Sequence, residues 1–193
     1  MSPEGKVLLS SLEKNHRSAF TMFPSNHFLL AFSDIGCINV EKTRLLIFVQ
    51  SDPAKFDRRE ANRKSWMRQR SAYPEVKVIF LFGRSEKPSA RETRELAKES
   101  EQNCDVIQLD FIDSYENVTL DTVFALRLAL ELDFGPEKIR PEFVLIADDD
   151  SYISIPRLWR KCFENEDVSV CLITRNALLV NLSSIVLLHA LGN

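Results

Sequence analysis

Three consecutive carboxylates, Asp148-Asp149-Asp150, close the apolar run Phe143-Val144-Leu145-Ile146-Ala147 and lead into Ser151-Tyr152. Unit charges about 4 Å apart repel by roughly 1 kcal/mol in water and about 4 kcal/mol at an effective dielectric of 20. A buried strand that delivers three of them to one place favours a cation there. Side chains alternate along an extended chain, so Asp148 and Asp150 are set to face one site and Asp149 another. Hard carboxylate oxygens suit Mg²⁺ or Mn²⁺, ions that commonly bridge to substrate phosphates. The same acids also fit a solvated turn that caps the next element, and spacing alone does not separate the two readings.

The elements that must carry these acids alternate in type. Residues 45–49 (Leu-Leu-Ile-Phe-Val) read as a strand buried on both faces, broken by Gln50-Ser51-Asp52-Pro53. Residues 54–70 read as a helix on which Arg59 and Arg63 lie one turn apart, with Trp66 on nearly the same side. A second strand spans 76–82 and ends at Gly83; a charged, mostly exposed helix follows over 88–102. A third strand spans 104–109, and a polar turn covers 110–115. Residues 116–132 form a long helix, with Asp113 and Glu116 as a capping box; the fourth strand is 143–147. Alternation of this kind predicts a largely parallel α/β sheet with helices on both faces. Ligands in such sheets bind outside the carboxyl ends of the strands. Those ends carry Ser51-Asp52, Gly83-Arg84, Asp110 with Asp113, and Asp148 to Asp150.

Composition narrows the class. The 193 residues suffice for one domain with a real core, and 45% hydrophobic with 27% charged residues is ordinary for a globular protein. A net charge of -3 with interspersed signs gives no footprint for nucleic acid or a membrane surface. Four cysteines without a CxxC pair, and three histidines apart from them, argue against zinc. Cys162 and Cys171 are either a disulfide of an oxidising compartment or free thiols. No hydrophobic run is long enough to span a bilayer, and no signal-peptide pattern is present.

Four blocks in order resemble the inverting β-1,3-glycosyltransferases of the galactosyltransferase family (family 31). They are Arg59-Glu-Ala-Asn-Arg63-Lys-Ser-Trp66, Phe80-Leu-Phe-Gly83, Asp110 to Leu120 with Asp113, Tyr115, Asn117 and Thr119, and Phe143 to Tyr152 with its three acids. The resemblance covers roughly residues 44–160. A short fragment, Glu166-Asp167-Val168-Ser169, resembles the Glu-Asp-Val block that carries the family's catalytic base. The family's fold implies a GT-A (Rossmann-like) nucleotide-sugar domain, incomplete at its C-terminus. We expect a poorly specified lead-in at 1–43, a nucleotide-sugar-binding half at 44–163 and a divergent tail at 164–193.

The resemblance implies a mechanism. Mn²⁺ (or Mg²⁺) held by Asp150, with Asp148, would bridge the diphosphate of a UDP-sugar and neutralise charge on the leaving UDP. Arg63, Asp113, Asp148 and Asp149 would shape the donor site. Asp167 would take the proton from an acceptor hydroxyl, which attacks the anomeric carbon in line and inverts it. The implied partners are a UDP-sugar, with galactose or an N-acetylhexosamine as the sugar, and a glycan or glycoprotein acceptor. The implied location is the lumenal side of the Golgi membrane, with membrane association resting on the resemblance alone. Plainer readings stand beside these. Arg59 and Arg63 also fit a solvated face with Glu60 or Asp57, Trp66 fits core packing, and Asp113 with Asn117 fits a helix cap. Glu166 and Asp167 also fit surface charge. Asn117-Val118-Thr119 and Asn181-Leu182-Ser183 are glycosylation sequons.

Two departures from the family pattern stand out. Asp121 occupies a position where the family usually has lysine, which removes a cation near the diphosphate. After Phe163 the acceptor-binding half is not recognisable, and the family's amino-terminal anchor is not seen. We therefore expect two distant blocks joined near Phe163, as in a truncated or spliced product, and a tail whose apolar residues lack their original partner. A catalytically inactive remnant that binds UDP and metal is the alternative to an active transferase.

Overall fold

A computed structural model describes residues 40, 42–114, 118–131, 141–164, 172–174 and 177–181. Its six-stranded sheet is made of β1 (Leu45–Gln50), β2 (Val76–Arg84), β3 (Val106–Ile112), β4 (Phe143–Asp148), β5 (Leu172–Thr174) and β6 (Ala177–Asn181). The strand order is β3-β2-β1-β4-β6-β5. β1 pairs in parallel with β2 and β4, and β2 pairs in parallel with β3. β6 runs antiparallel to β4 and to β5. Among the described residues, α-helices connect the strands: α1 (Phe56–Lys64), α2 (Ala90–Asn103), α3 (Val118–Glu131) and α4 (Ile155–Phe163). The α/β reading therefore holds.

Each central strand is apolar on both faces because both faces are covered. Leu46, Phe48, Ile79, Leu81, Val144 and Ile146 pack with Phe124, Ala125 and Leu128 of α3. Their alternates Leu45, Ile47, Val49, Val78 and Phe80 pack with Trp66, Met67, Leu96, Ile155 and Cys162 on the opposite face. Burying each of these large side chains contributes about 1.5–3 kcal/mol. Among the described helices, α3 thus covers one face and the others lie on the opposite one.

Three boundaries differ from the sequence reading. The helix expected over 54–70 stops at Lys64; Ser65 turns to φ -105°, ψ -107°, and Trp66–Ala72 continue as a 3-10 helix. That break swings Trp66 and Met67 into the core. Gly83 does not end β2 but lies inside it, at a shift of register against β3. A Cβ there would come within 2.8 Å of the Phe111 carbonyl oxygen and 3.0 Å of the Asp113 nitrogen. Glycine is therefore required for the close approach of the β3 end. β3 itself runs on to Ile112, so Asp110 lies in a strand and not in a turn. The tail is not partnerless, because its residues 177–181 form a five-residue antiparallel pairing with β4.

Candidate functional site at the carboxyl end of the sheet

β1 and β4 lie side by side but connect in opposite directions, to β2 and towards β6. That reversal opens a crevice outside their carboxyl ends, the usual ligand position in such sheets. Gln50 and Asp148 are register partners at this edge. Beyond Asp148 the chain turns, closed by the Ser151 N–H donating to the Asp148 carbonyl at 3.1 Å.

Within the turn the three acids part company. The Asp149 carboxylate is largely covered and accepts from Ser51 Oγ at 2.8 Å and Arg58 Nη1 at 2.9 Å. Its main-chain carbonyl accepts from Asn62 Nδ2 at 2.7 Å. Asp148 and Asp150 are exposed, and neither pairs with a side chain among the described residues. Partial burial pushes the Asp148 pKa up, and the Asp150 and Asp149 charges add to the shift.

A second pair of acids lies at the same end of the sheet. Asp113 follows β3, its amide donating to the Arg84 carbonyl at 2.8 Å. Asp121 lies in the first turn of α3 and is 7% exposed. One carboxylate oxygen of each is buried without a hydrogen-bond partner. Burial, then the charge of Asp52, raises the Asp113 pKa against a hydrogen bond from Gly83. Burial and the neighbouring Asp113 raise Asp121 to about 7. Next to it, Gln50 Nε2 donates to Thr122 Oγ1 at 3.3 Å and ties α3 to the end of β1.

The arginines behave differently from the sequence reading. Arg63 was expected at the donor site. Its guanidinium instead lies over the Phe80 ring, donates to Asp105 at 2.7 and 3.0 Å and to Glu99 at 2.7 Å, and makes no contact with the acidic turn. The reason is electrostatic: two buried carboxylates at the start of β3 and on α2 already answer its charge. Arg59 is fully buried, forks onto both oxygens of Glu99 at 2.9 and 2.7 Å, and stacks on Phe82. Neither arginine occupies a solvated face, although Arg63 also lies 3.7 Å from Glu60, the partner that the plainer reading named. Trp66 packs in the core and donates its indole N–H to Asn62 Oδ1 at 2.7 Å.

Sequence reasoning missed Asn62 and Glu99, and placed Ser51 at the rim without foreseeing its hydrogen bond to Asp149. Glu99 had a signal, since Leu96, Glu99 and Ser100 share one helical stripe and all three are buried. Asp167, Glu166, Asn117 and Glu116 lie outside the described residues, so the expected base and capping box have no position here. Cys162 is a free, buried thiol whose pKa burial raises to about 11, which excludes the Cys162–Cys171 pairing. Cys104 is disulfide-bonded to a partner outside the described residues.

A hard divalent ion fits this rim in a limited way. Among the described residues no three acids, histidines or cysteines gather into a ready cage. Mg²⁺ and ions like it commonly take only one or two protein carboxylates and complete their shell with water and phosphate oxygens. Asp148 and Asp150, exposed and without an ion pair among the described residues, suit that arrangement; Asp149, expected at the donor site, is instead committed to Ser51 and Arg58 because those two donors already answer its carboxylate.

Residues 57–178 match the family model described as Galactosyltransferase, more than half of the chain. Among curated proteins, the chain is 34% identical over 154 residues to lactosylceramide 1,3-N-acetyl-beta-D-glucosaminyltransferase A of Danio rerio, covering 77% of this chain and 38% of that protein. It is 33% identical to beta-1,3-galactosyltransferase 5 of Pan paniscus, covering 59% of this chain and 36% of that one. Beta-1,3-galactosyltransferase 4 of Mus musculus is 35% identical, with coverages of 59% and 29%. The fold and these matches define a glycosyltransferase domain. The chain belongs to the galactosyltransferase family, and it spans between 29% and 38% of the length of these three relatives.

Proposed function

We propose that this chain forms the donor-binding part of an inverting hexosyltransferase. It takes galactose, or an N-acetylhexosamine, from a UDP-sugar to a glycan hydroxyl in β-1,3 linkage, in protein glycosylation or glycosaminoglycan linker synthesis. The observation that carries the reading is the divided acidic turn: Asp149 is pinned while Asp148 and Asp150 on either side stay unpaired. Asp150 and Asp148 would hold Mn²⁺ (or Mg²⁺), which when bound stabilises negative charge on the departing diphosphate. Asp113 would accept from the nucleoside side of the donor, where a buried oxygen lacks a partner. Asp167 would be the carboxylate that removes the acceptor hydroxyl proton. The Cys104 disulfide supports an oxidising compartment, in keeping with the Golgi lumen. Membrane association rests on the family alone; among the described residues no helix is long and apolar enough to cross a bilayer.

A second reading is binding of UDP and metal without sugar transfer. Asp121, buried with one oxygen lacking a partner, favours it, since whatever negative charge it carries above pH about 7 opposes a diphosphate. One experiment separates the readings. UDP is titrated calorimetrically with Mn²⁺ present, and UDP release from UDP-galactose is then followed with and without galactoside or xyloside acceptors. Acceptor-stimulated release supports transfer. Binding without release supports the second reading, and absence of Mn²⁺-dependent binding by folded protein overturns both.

A further inference from the structure

The acidic turn is held in part by a device that does not use its own charge. Asn62 is 6% exposed, on the inner face of α1, and both ends of its amide are used. An indole N–H can only donate, so the Trp66 contact at 2.7 Å must go to Asn62 Oδ1. That fixes the orientation of the amide and leaves Nδ2 to donate to the Asp149 carbonyl at 2.7 Å. A planar peptide bond links that carbonyl to the Asp150 nitrogen, so holding the oxygen fixes the plane from which Asp150 departs. The Asp149 side chain is fixed separately, by Ser51 and Arg58. Ser51 Oγ in turn lies 3.3 Å from Arg59 Nη1, at the edge of the buried ion network. Asp148 and Asp150 have no side-chain partner among the described residues, so their aim depends on these anchors of Asp149.

We infer that Asn62 is a positioning residue: by clamping the Asp149 carbonyl against the core tryptophan Trp66, it sets the separation of Asp148 and Asp150 for a divalent cation and its phosphate ligand. The inference rests on the function proposed above. It extends the site to a residue that touches neither metal nor nucleotide. Groups of this outer kind orient ligating carboxylates, and their loss typically weakens metal affinity about 10–100-fold.

Asn62→Asp is the test. The carboxylate still accepts from Trp66, but it has no donor for the Asp149 carbonyl. Calorimetry of UDP in the presence of Mn²⁺ reads two quantities. Loss of positioning weakens affinity about 10-fold or more at unchanged stoichiometry, whereas partial unfolding lowers stoichiometry at unchanged affinity. Amide exchange of metal-free protein gives an independent readout: the amides of Asp149, Asp150 and Ser151 speed up while those of β1 and β2 do not. Should Asn62→Asp fail to fold, Asn62→Ser, with one hydroxyl for two partners, carries the same two measurements. Wild-type affinity and wild-type exchange in a folded variant overturn the inference and leave the proposed function standing. A wild-type chain that binds no UDP with Mn²⁺ overturns both.

Discussion

Two acidic clusters flank one sheet and have opposite fates. On the α1 side, Glu99 and Asp105 are buried with Arg59 and Arg63 at 2.7 to 3.0 Å, stacked on Phe82 and Phe80. At the carboxyl rim the acids form two pairs: Asp121 beside Asp113, each with a buried oxygen that has no hydrogen-bond partner, and Asp148 with Asp150, which make no ion pair among the described residues although Asp150 feels the charge of Arg58. Charge that is neutralised internally serves the fold. Charge left unanswered is available to a ligand, and its cost is borne by the empty protein.

The largest effect expected from breaking this contrast lies on the paired side. Glu99→Ala strips the shared acceptor from two buried guanidiniums and should cost about 3–5 kcal/mol in urea unfolding. A loss below about 1 kcal/mol would mean the network contributes little to the fold. On the rim the sign reverses. The Asp121 carboxyl ordinarily titrates near 3.8 and is raised to about 7 in the fold. A raised acid favours the protonated form, so its contribution is fully present below pH about 4 and lost as pH climbs through about 7. Burying that charge at pH 8 costs up to about 4 kcal/mol. Asp121→Asn should therefore raise the unfolding midpoint at pH 8 and have little effect at pH 4. Equal shifts at both pH values would show that the charge is not what strains the rim. The smallest effect is expected where a pair lies in solvent. Lys64 sits 2.9 Å from Glu60 with its side chain 74% exposed, and Lys64→Ala should change stability by no more than about 0.5 kcal/mol in the same assay.

Much of the architecture was legible because it is written in long periodic signals. Leu45 to Val49 and Phe143 to Ala147 read as strands covered on both faces, and the alternation with helices implied their parallel pairing. In the acidic turn, strand alternation showed Asp149 facing away from Asp148 and Asp150, but not that Ser51 and Arg58 would take up its carboxylate. Three other features were not legible. Gly83 looked like a strand terminator, but its role comes from the Phe111 backbone, a contact between strands far apart in sequence. Arg63 looked like a ligand residue because its partners, Glu99 and Asp105, lie 36 and 42 positions away. Asn62 carried no signal at all: an asparagine in a charged helix gains meaning only when Trp66 and the Asp149 carbonyl arrive at its two ends.

The central claim is that Asp148 and Asp150 are kept unpaired for a cation that brings a nucleotide diphosphate with it. Mn²⁺ titrated into UDP-saturated wild-type protein and into Asp150→Ala tests this most directly, with far-ultraviolet dichroism confirming that both are folded. The account predicts saturable binding in the first and none in the second. Equal affinity in the two proteins would contradict it.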